Sequence, residues 1–313
     1  MQPQSKMGLF ALVIGIVLVA IYFVTPTGNS SQRNEKPTIA VTTFPLYEVA
    51  RIIAGSQLNI HTVVPLGSDP HMYSPSPSDL VKISQSDVFI YSGAGFEHWV
   101  ESMVKTLPNS VLVMDMSKHV VLLEHNHHEE AADEHEHGAY DPHYWLDIQN
   151  MIKMTQATAD LLSKKYPEHE SLFQSNAKIY INELKKLENE FKNGLKNCRT
   201  TTIISNHDAF GYLAHANGLN TVSVIGLSSD EQPSAHTVAN IVNLVKVHKT
   251  KSIFFEELMN DNVAQTIAKE TGAKAEVLHP LENITQEQLN THVSYLSLMR
   301  SNLEKLKNGL ECR

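Results

Sequence analysis

Short β-branched segments alternate with helical ones twice along this chain, once on each side of a long helical stretch. No other feature constrains the fold as tightly. Residues 38–43 read as a first strand, and Pro45 opens a helix running to about residue 54. Strands follow at 58–65, 87–91 and 111–114, separated by helices at 80–85 and 96–107. Residues 148–166 carry apolar positions at helical spacing up to the break at Pro167. Residues 168–196 then read as one helix with Leu172, Phe173, Ile179, Tyr180, Leu184, Leu187 and Phe191 on its buried side, or as two helices with a turn near Asn176. The alternation restarts with strands at 201–205, 220–225, 252–255 and 274–278 and helices at 209–216, 234–247 and 261–271, with Ser234 as the cap of the second. A capping box, Thr285-x-x-Gln288, opens a closing helix from 286 to about 308. Alternation of this kind predicts α/β architecture: two doubly wound parallel-sheet lobes joined by a long rigid helix, with no sequence repeat between them. The expected divisions are a leader and linker at 1–35, a first lobe at 36–166, a linking helix at 167–197 and a second lobe at 198–313.

The first lobe is interrupted by a segment that cannot pack. Between Glu124 and His137, five histidines (His125, His127, His128, His135, His137) sit among six acids, with alanines as the sole apolar residues. Such a tract stays solvated, and neutral imidazoles interleaved with carboxylates read as metal-binding. We therefore expect residues 124–139 to form a loop holding metal ions weakly. The formal charge of −9 argues against a nucleic-acid partner and suits a cation. Two cysteines, Cys198 and Cys312, lie in no zinc-thiolate spacing, so any metal site uses nitrogen and oxygen.

Near the start, Lys6 precedes an unbroken apolar run from Met7 to Val24, and a polar linker follows. Eighteen residues exceed the core of a cleaved signal and just span a hydrocarbon layer of roughly 30 Å. The preferred reading is an uncleaved anchor through residues 7–24, the alternative a cleaved signal peptide. Either places the rest of the chain outside the cytoplasm, where Cys198 and Cys312 form a disulfide or remain separate thiols.

Four further residues share one kind of location. His71 follows the second strand, His143 the fourth, His207 the first strand of the second lobe, and Glu282 a late strand of that lobe. Ligands of open parallel sheets bind beyond the carboxyl ends of the strands. These residues therefore face a cleft between lobes, two from each, as an N₃O set suited to Zn²⁺, whereas a more carboxylate-rich set favours Mn²⁺. Glu256 and Glu257 end a strand and are expected behind the ligands. Asp208 either holds a ligand imidazole or caps the helix it opens. Glu97 and Trp99 read as packing residues. His61, His98, His119, His169, His215, His236, His248 and His292 read as ordinary surface or core histidines.

Several segments resemble one family: Asp69-Pro70-His71 with Tyr73 and Pro75, Gly93-x-Gly95-Phe96-Glu97-x-Trp99, Asp141-Pro142-His143-x-Trp145, 206–212 (NHDAFGY), Glu231-x-Pro233-Ser234-Ala235 and Phe254-Phe255-Glu256. In order and spacing, from about residue 38 to 308, the chain is similar to the cluster A-I solute-binding proteins of zinc and manganese ABC importers. The resemblance implies one metal buried between two α/β lobes and delivery to a membrane permease. His71, His143 and His207 match the three histidine positions of the family. A histidine at the third, with the His-rich acidic loop, resembles the zinc branch. The fourth ligand implied is Glu282, in a Pro-Leu-Glu segment, with His279 as the alternative. The function expected is capture of Zn²⁺ as cargo by an extracytoplasmic monomer without enzyme activity. Rival readings are a manganese importer component and a zinc hydrolase, although no H-E-x-x-H motif is present.

Overall fold

The computed structural model describes residues 36–124, 139–223, 235–248, 250–256 and 262–313, and residues 37–313 form one compact unit. The expected anchor at 7–24, the histidines of the loop, Glu257, the cap Ser234 and the motif segment 231–234 lie outside the described residues. Among the described residues, no helix is long and apolar enough to cross a membrane.

Each lobe is built on a four-stranded, all-parallel sheet. In the first lobe, β1 (Thr38–Val41), β2 (Asn59–Thr62), β3 (Val88–Tyr91) and β4 (Leu112–Asp115) take the order β2-β1-β3-β4. In the second, β5 (Thr202–Ser205), β6 (Asn220–Ser223), β7 (Ser252–Phe255) and β8 (Lys274–Val277) repeat it as β6-β5-β7-β8. Sheets covered on both faces need continuous apolar strands, and β3, Val-Phe-Ile-Tyr, is buried at every position.

Crossover helices follow the expected local chemistry. α1 (Phe44–Ala54) carries Pro45 in its first turn. α2 (Pro77–Ser84) starts on a capping box in which Ser76 and Asp79 satisfy each other's backbone N–H groups. The helix expected at 96–107 is much shorter, α3 (Val100–Val104). The residues before it are taken up by a loop in which Gly93, Ala94 and Gly95 all have positive φ. That loop folds around the buried Glu97 carboxylate, which accepts hydrogen bonds from the Ser92 and Gly93 N–H groups and from Thr42 Oγ1. Burial raises the pKa of Glu97. Its role is internal to the first lobe.

α4 (Ile148–Lys165), capped by Asp147, and α5 (Glu170–Gly194) pack side by side and against α1. α5 is continuous through Asn176. Its buried stripe is Phe173, Ala177, Tyr180, Leu184, Leu187 and Phe191, alternating steps of four and three as a helix face requires. Leu172 and Ile179 fall one residue off that stripe and are 39 % and 62 % exposed, which corrects their expected burial.

In the second lobe come α6 (Gly211–Asn217), α7 (Ala235–His248) and α8 (Asn262–Thr271). The single closing helix expected at 286–308 is two, α9 (Gln286–Asn290) on its Thr285–Gln288 capping box and α10 (Tyr295–Gly309) on a second box formed by Ser294 and Ser297. The chain turns at His292, φ +57°, and so brings Tyr295 into the core, where its hydroxyl donates to Trp145 O at 2.7 Å.

Cys198 and Cys312 are joined as a disulfide, which ties the end of α10 to the start of the second lobe. A crosslink between residues separated by 114 positions restricts the unfolded chain. Replacing both cysteines by serine should therefore lower unfolding stability by about 2–4 kcal/mol in urea titrations. Unchanged midpoints would mean that the crosslink contributes nothing.

Candidate metal centre

The carboxyl edges of the two sheets bring His71, His143, His207 and Glu282 together, with one ligand atom from each lying within 4.8 Å of all the others. His143 and His207 are fully buried and Glu282 nearly so. His71 Nε2 is 3.3 Å from both Glu282 Oε1 and His143 Nε2, and His143 Nε2 is 3.0 Å from Glu282 Oε1. Four ligands at about 2.0–2.2 Å from a tetrahedral ion lie roughly 3.4 Å from one another. His71, His143 and Glu282 have about that spacing, and His207 lies within 4.8 Å of them. The donors the cluster offers are three imidazole nitrogens and one carboxylate oxygen.

Local sequence orients each ligand. Asp-Pro-His occurs twice, and in both copies the aspartate carboxylate accepts the histidine's backbone N–H two residues on, at 2.9 Å. At His143 the same Asp141 oxygen also takes Nδ1, at 2.8 Å. His207 Nδ1 meets Glu256 Oε1 at 2.6 Å. An ionised carboxylate can only accept, so Nδ1 keeps its proton in both rings and Nε2 is the atom that can give up its own to face a metal ion. Phe96 closes the cluster from the first lobe, its ring centroid 4.6 Å from His71 and 6.1 Å from His143.

Asp141 belongs to the motif read from sequence, but its role in holding His143 was missed. The recurrence of Asp-Pro-His at 69–71 and 141–143 was the available signal. Glu256 stands where a group behind a ligand was expected. Asp208 does not cap α6, whose N-cap is Phe210. His279 lies outside the cluster; its Nδ1 accepts the Leu281 N–H at 2.9 Å. The ends of the His-rich segment are fixed beside the centre. Glu124 bridges Tyr140, and the Tyr212 hydroxyl accepts the Leu123 N–H and donates to Asp141 O.

Electrostatics bind the metal-free cluster together. Burial alone would lower the His143 imidazole; hydrogen bonds to Asp141 and Glu282 outweigh it and raise the pKa to about 10. For His207, burial is likewise outweighed by Glu256, and the pKa rises to about 9. Burial would raise Glu282, but His71 and His143 hold it well below the usual carboxylate range.

A family model for the periplasmic component A of zinc-uptake complexes, ZnuA, matches residues 39–309. The zinc-binding protein AdcA of Streptococcus pyogenes serotype M3 is 34 % identical over 312 residues, covering 95 % of this chain and 61 % of its own length. This chain thus spans about three-fifths of that relative. The high-affinity zinc uptake system protein ZnuA of Bacillus subtilis is 33 % identical over 314 residues, 97 % of each chain. Among solved structures, the Zn(II)-bound ZnuA-like domain of Streptococcus pneumoniae AdcA superposes with a TM-score of 0.76 at 33 % identity, over 88 % of this chain and 99 % of that one. The metal-dependent lipoprotein YcdH of Bacillus subtilis gives 0.76 at 32 % identity, with the same coverage.

The raised imidazoles dictate a pH dependence. Metal binding requires each Nε2 to lose its proton, so at pH 7 each ion should displace about two protons and affinity should climb with pH up to about 9–10. The metal-free fold should behave in the opposite sense. Stabilisation from His143 and His207, complete below their ordinary pKa of 6.5, is lost as pH rises through 9–10, whereas that from Glu282 is lost as pH falls below 4.5. Calorimetry in buffers of differing ionisation enthalpy counts the protons, and Asp141→Asn should reduce the number released. Binding without proton uptake by the buffer would contradict this assignment.

Proposed function

The chain belongs to the family of the periplasmic zinc-uptake component A, and from that premise we propose that it captures Zn²⁺ outside the cytoplasm and delivers it to an ABC permease. The observation that carries this reading is the cluster of three imidazoles and one carboxylate whose ligand atoms lie within 4.8 Å of one another, three of the four residues buried. Three nitrogens favour zinc over manganese. Four protein ligands leave a tetrahedral ion no open position for water, so the site suits a carrier rather than a zinc hydrolase. His71, His143, His207 and Glu282 bind the ion, Asp141 and Glu256 orient the imidazoles, and His279 stands aside.

The wider reading follows from the same premise. Residues 36–166 and 198–313 act as the two lobes of a monomer, with 167–197 between them. Residues 7–24 serve as anchor or signal, and the His-rich segment 124–139 collects zinc. The lobes are stitched directly, Trp145 Nε1 donating to Pro280 O at 2.8 Å and the Phe44 N–H to Glu282 O at 2.9 Å. Such bonds support local movement on release rather than wide hinge opening.

Elemental analysis after mild chelation tests the assignment. The intact chain and a variant lacking residues 124–139 should each retain one zinc, and Glu282→Gln should lose it without gaining esterase activity. Zinc retained only by the intact chain would make the loop the principal binder. Manganese retained against competing zinc would move the protein to the other branch, and esterase activity in Glu282→Gln would favour the hydrolase.

A further inference from the structure

The residue after Glu282 makes contacts that the metal site alone does not require. Asn283 is buried, and its single side-chain amide donates both hydrogens across the lobe boundary, to Pro65 O at 2.7 Å and Ser68 O at 2.8 Å. Its Oδ1 accepts the Ile284 N–H at 2.9 Å, which fixes the amide plane. The two carbonyls belong to a turn closed by Ser68 N–H on Pro65 O, three residues before His71. From that turn, Gly67 at φ +76° returns a backbone hydrogen bond to Ile284 O at 2.9 Å. Glu282 O and Pro280 O are held by Phe44 and Trp145 of the first lobe. The Glu282 segment is thus held by the second lobe at His279, where Asn302 accepts the N–H and donates to the carbonyl, and by the first lobe from Pro280 to Ile284.

His207 is anchored from the other side. Glu256 takes its Nδ1, Ser205 Oγ donates to its carbonyl at 2.8 Å, and the neighbouring Asn206 N–H donates to Phe254 O at 3.1 Å. His207 is thus braced within its own lobe, and Tyr212, five residues on, crosses to Leu123 and Asp141 of the first.

We propose that Asn283 is a positioning residue for metal capture. By joining Glu282 to the His71 turn, it keeps the carboxylate within bonding distance of the imidazoles of the first lobe. This rests on the cleft being the tight site.

The test uses the full-length chain in mild detergent with Zn²⁺ or Co²⁺ alone. Wild type should bind Co²⁺ with the intense visible bands of a tetrahedral ion; failure to do so would sink the site assignment together with this proposal. Asn283→Ala should bind Zn²⁺ roughly 10–100-fold more weakly, as expected for loss of an orienting group, with altered Co²⁺ bands. Gly67→Ala attacks the same junction from the first lobe, where an added Cβ meets nothing within 4 Å but φ is unfavourable, and should act in the same direction. In a Glu282→Gln background, Asn283→Ala should add little, because coupled residues are not additive. Wild-type binding with earlier melting but unchanged affinity and spectrum in the variants, or full additivity with Glu282→Gln, would overturn the positioning role alone. If Asn283→Ala does not fold, Gly67→Ala decides by the same criteria.

Discussion

A buried imidazole can offer a lone pair to a cation only if its other nitrogen holds a proton and has somewhere to place it. That requirement organises the centre of this protein. Asp141 and Glu256 supply the acceptors for His143 and His207, and each carboxylate comes from its own lobe. Without them both rings would be desolvated with no fixed tautomer. With them, the rings are oriented toward Glu282 before any ion arrives, and charge attraction to that carboxylate offsets the loss of water.

Parallel topology is what makes such an arrangement attainable. Every strand of a parallel sheet ends on the same edge, so loops leaving that edge converge whatever their distance in sequence. Both sheets share one strand order here, and the two edges meet at the cluster. Glu282 is thereby brought within 3.3 Å of His71 across 211 positions of sequence. The continuous α5 and its neighbour α4 pack on α1 and α10, which fixes the lobes against each other where the ligands do not.

How much of this was legible depended on the range of the governing interactions. Strand runs and capping boxes are local, and they were enough to put His71, His143, His207 and Glu282 on one kind of edge. The length of α3 was not legible, because Glu97 reaches back to Thr42 and makes the preceding residues a loop. The break at His292 was hidden for a similar reason: Tyr295 answers to Trp145, 150 residues away. Leu172 and Ile179 look apolar enough for a core, but their angle on α5, set by the neighbours of that helix, leaves them outside. The partner of His143 lay only two residues off and was still overlooked, since Asp-Pro reads first as a turn.

A cation carrier must bind tightly and still let go, and four buried ligands on one rigid frame would satisfy only the first condition. Tetrahedral coordination tightens when all four donors are fixed, and it fails stepwise when one can leave. Here polar bonds cross the boundary on both sides of the cluster, at Pro65, Ser68, Phe44 and Trp145 beside Glu282 and at Leu123 and Asp141 beside Tyr212, near His207. A small displacement of any one ligand loop would withdraw one donor and leave an open, three-ligand ion. Release then demands no wide parting of the lobes. It requires only that one of the four donors move while the other three stay bonded.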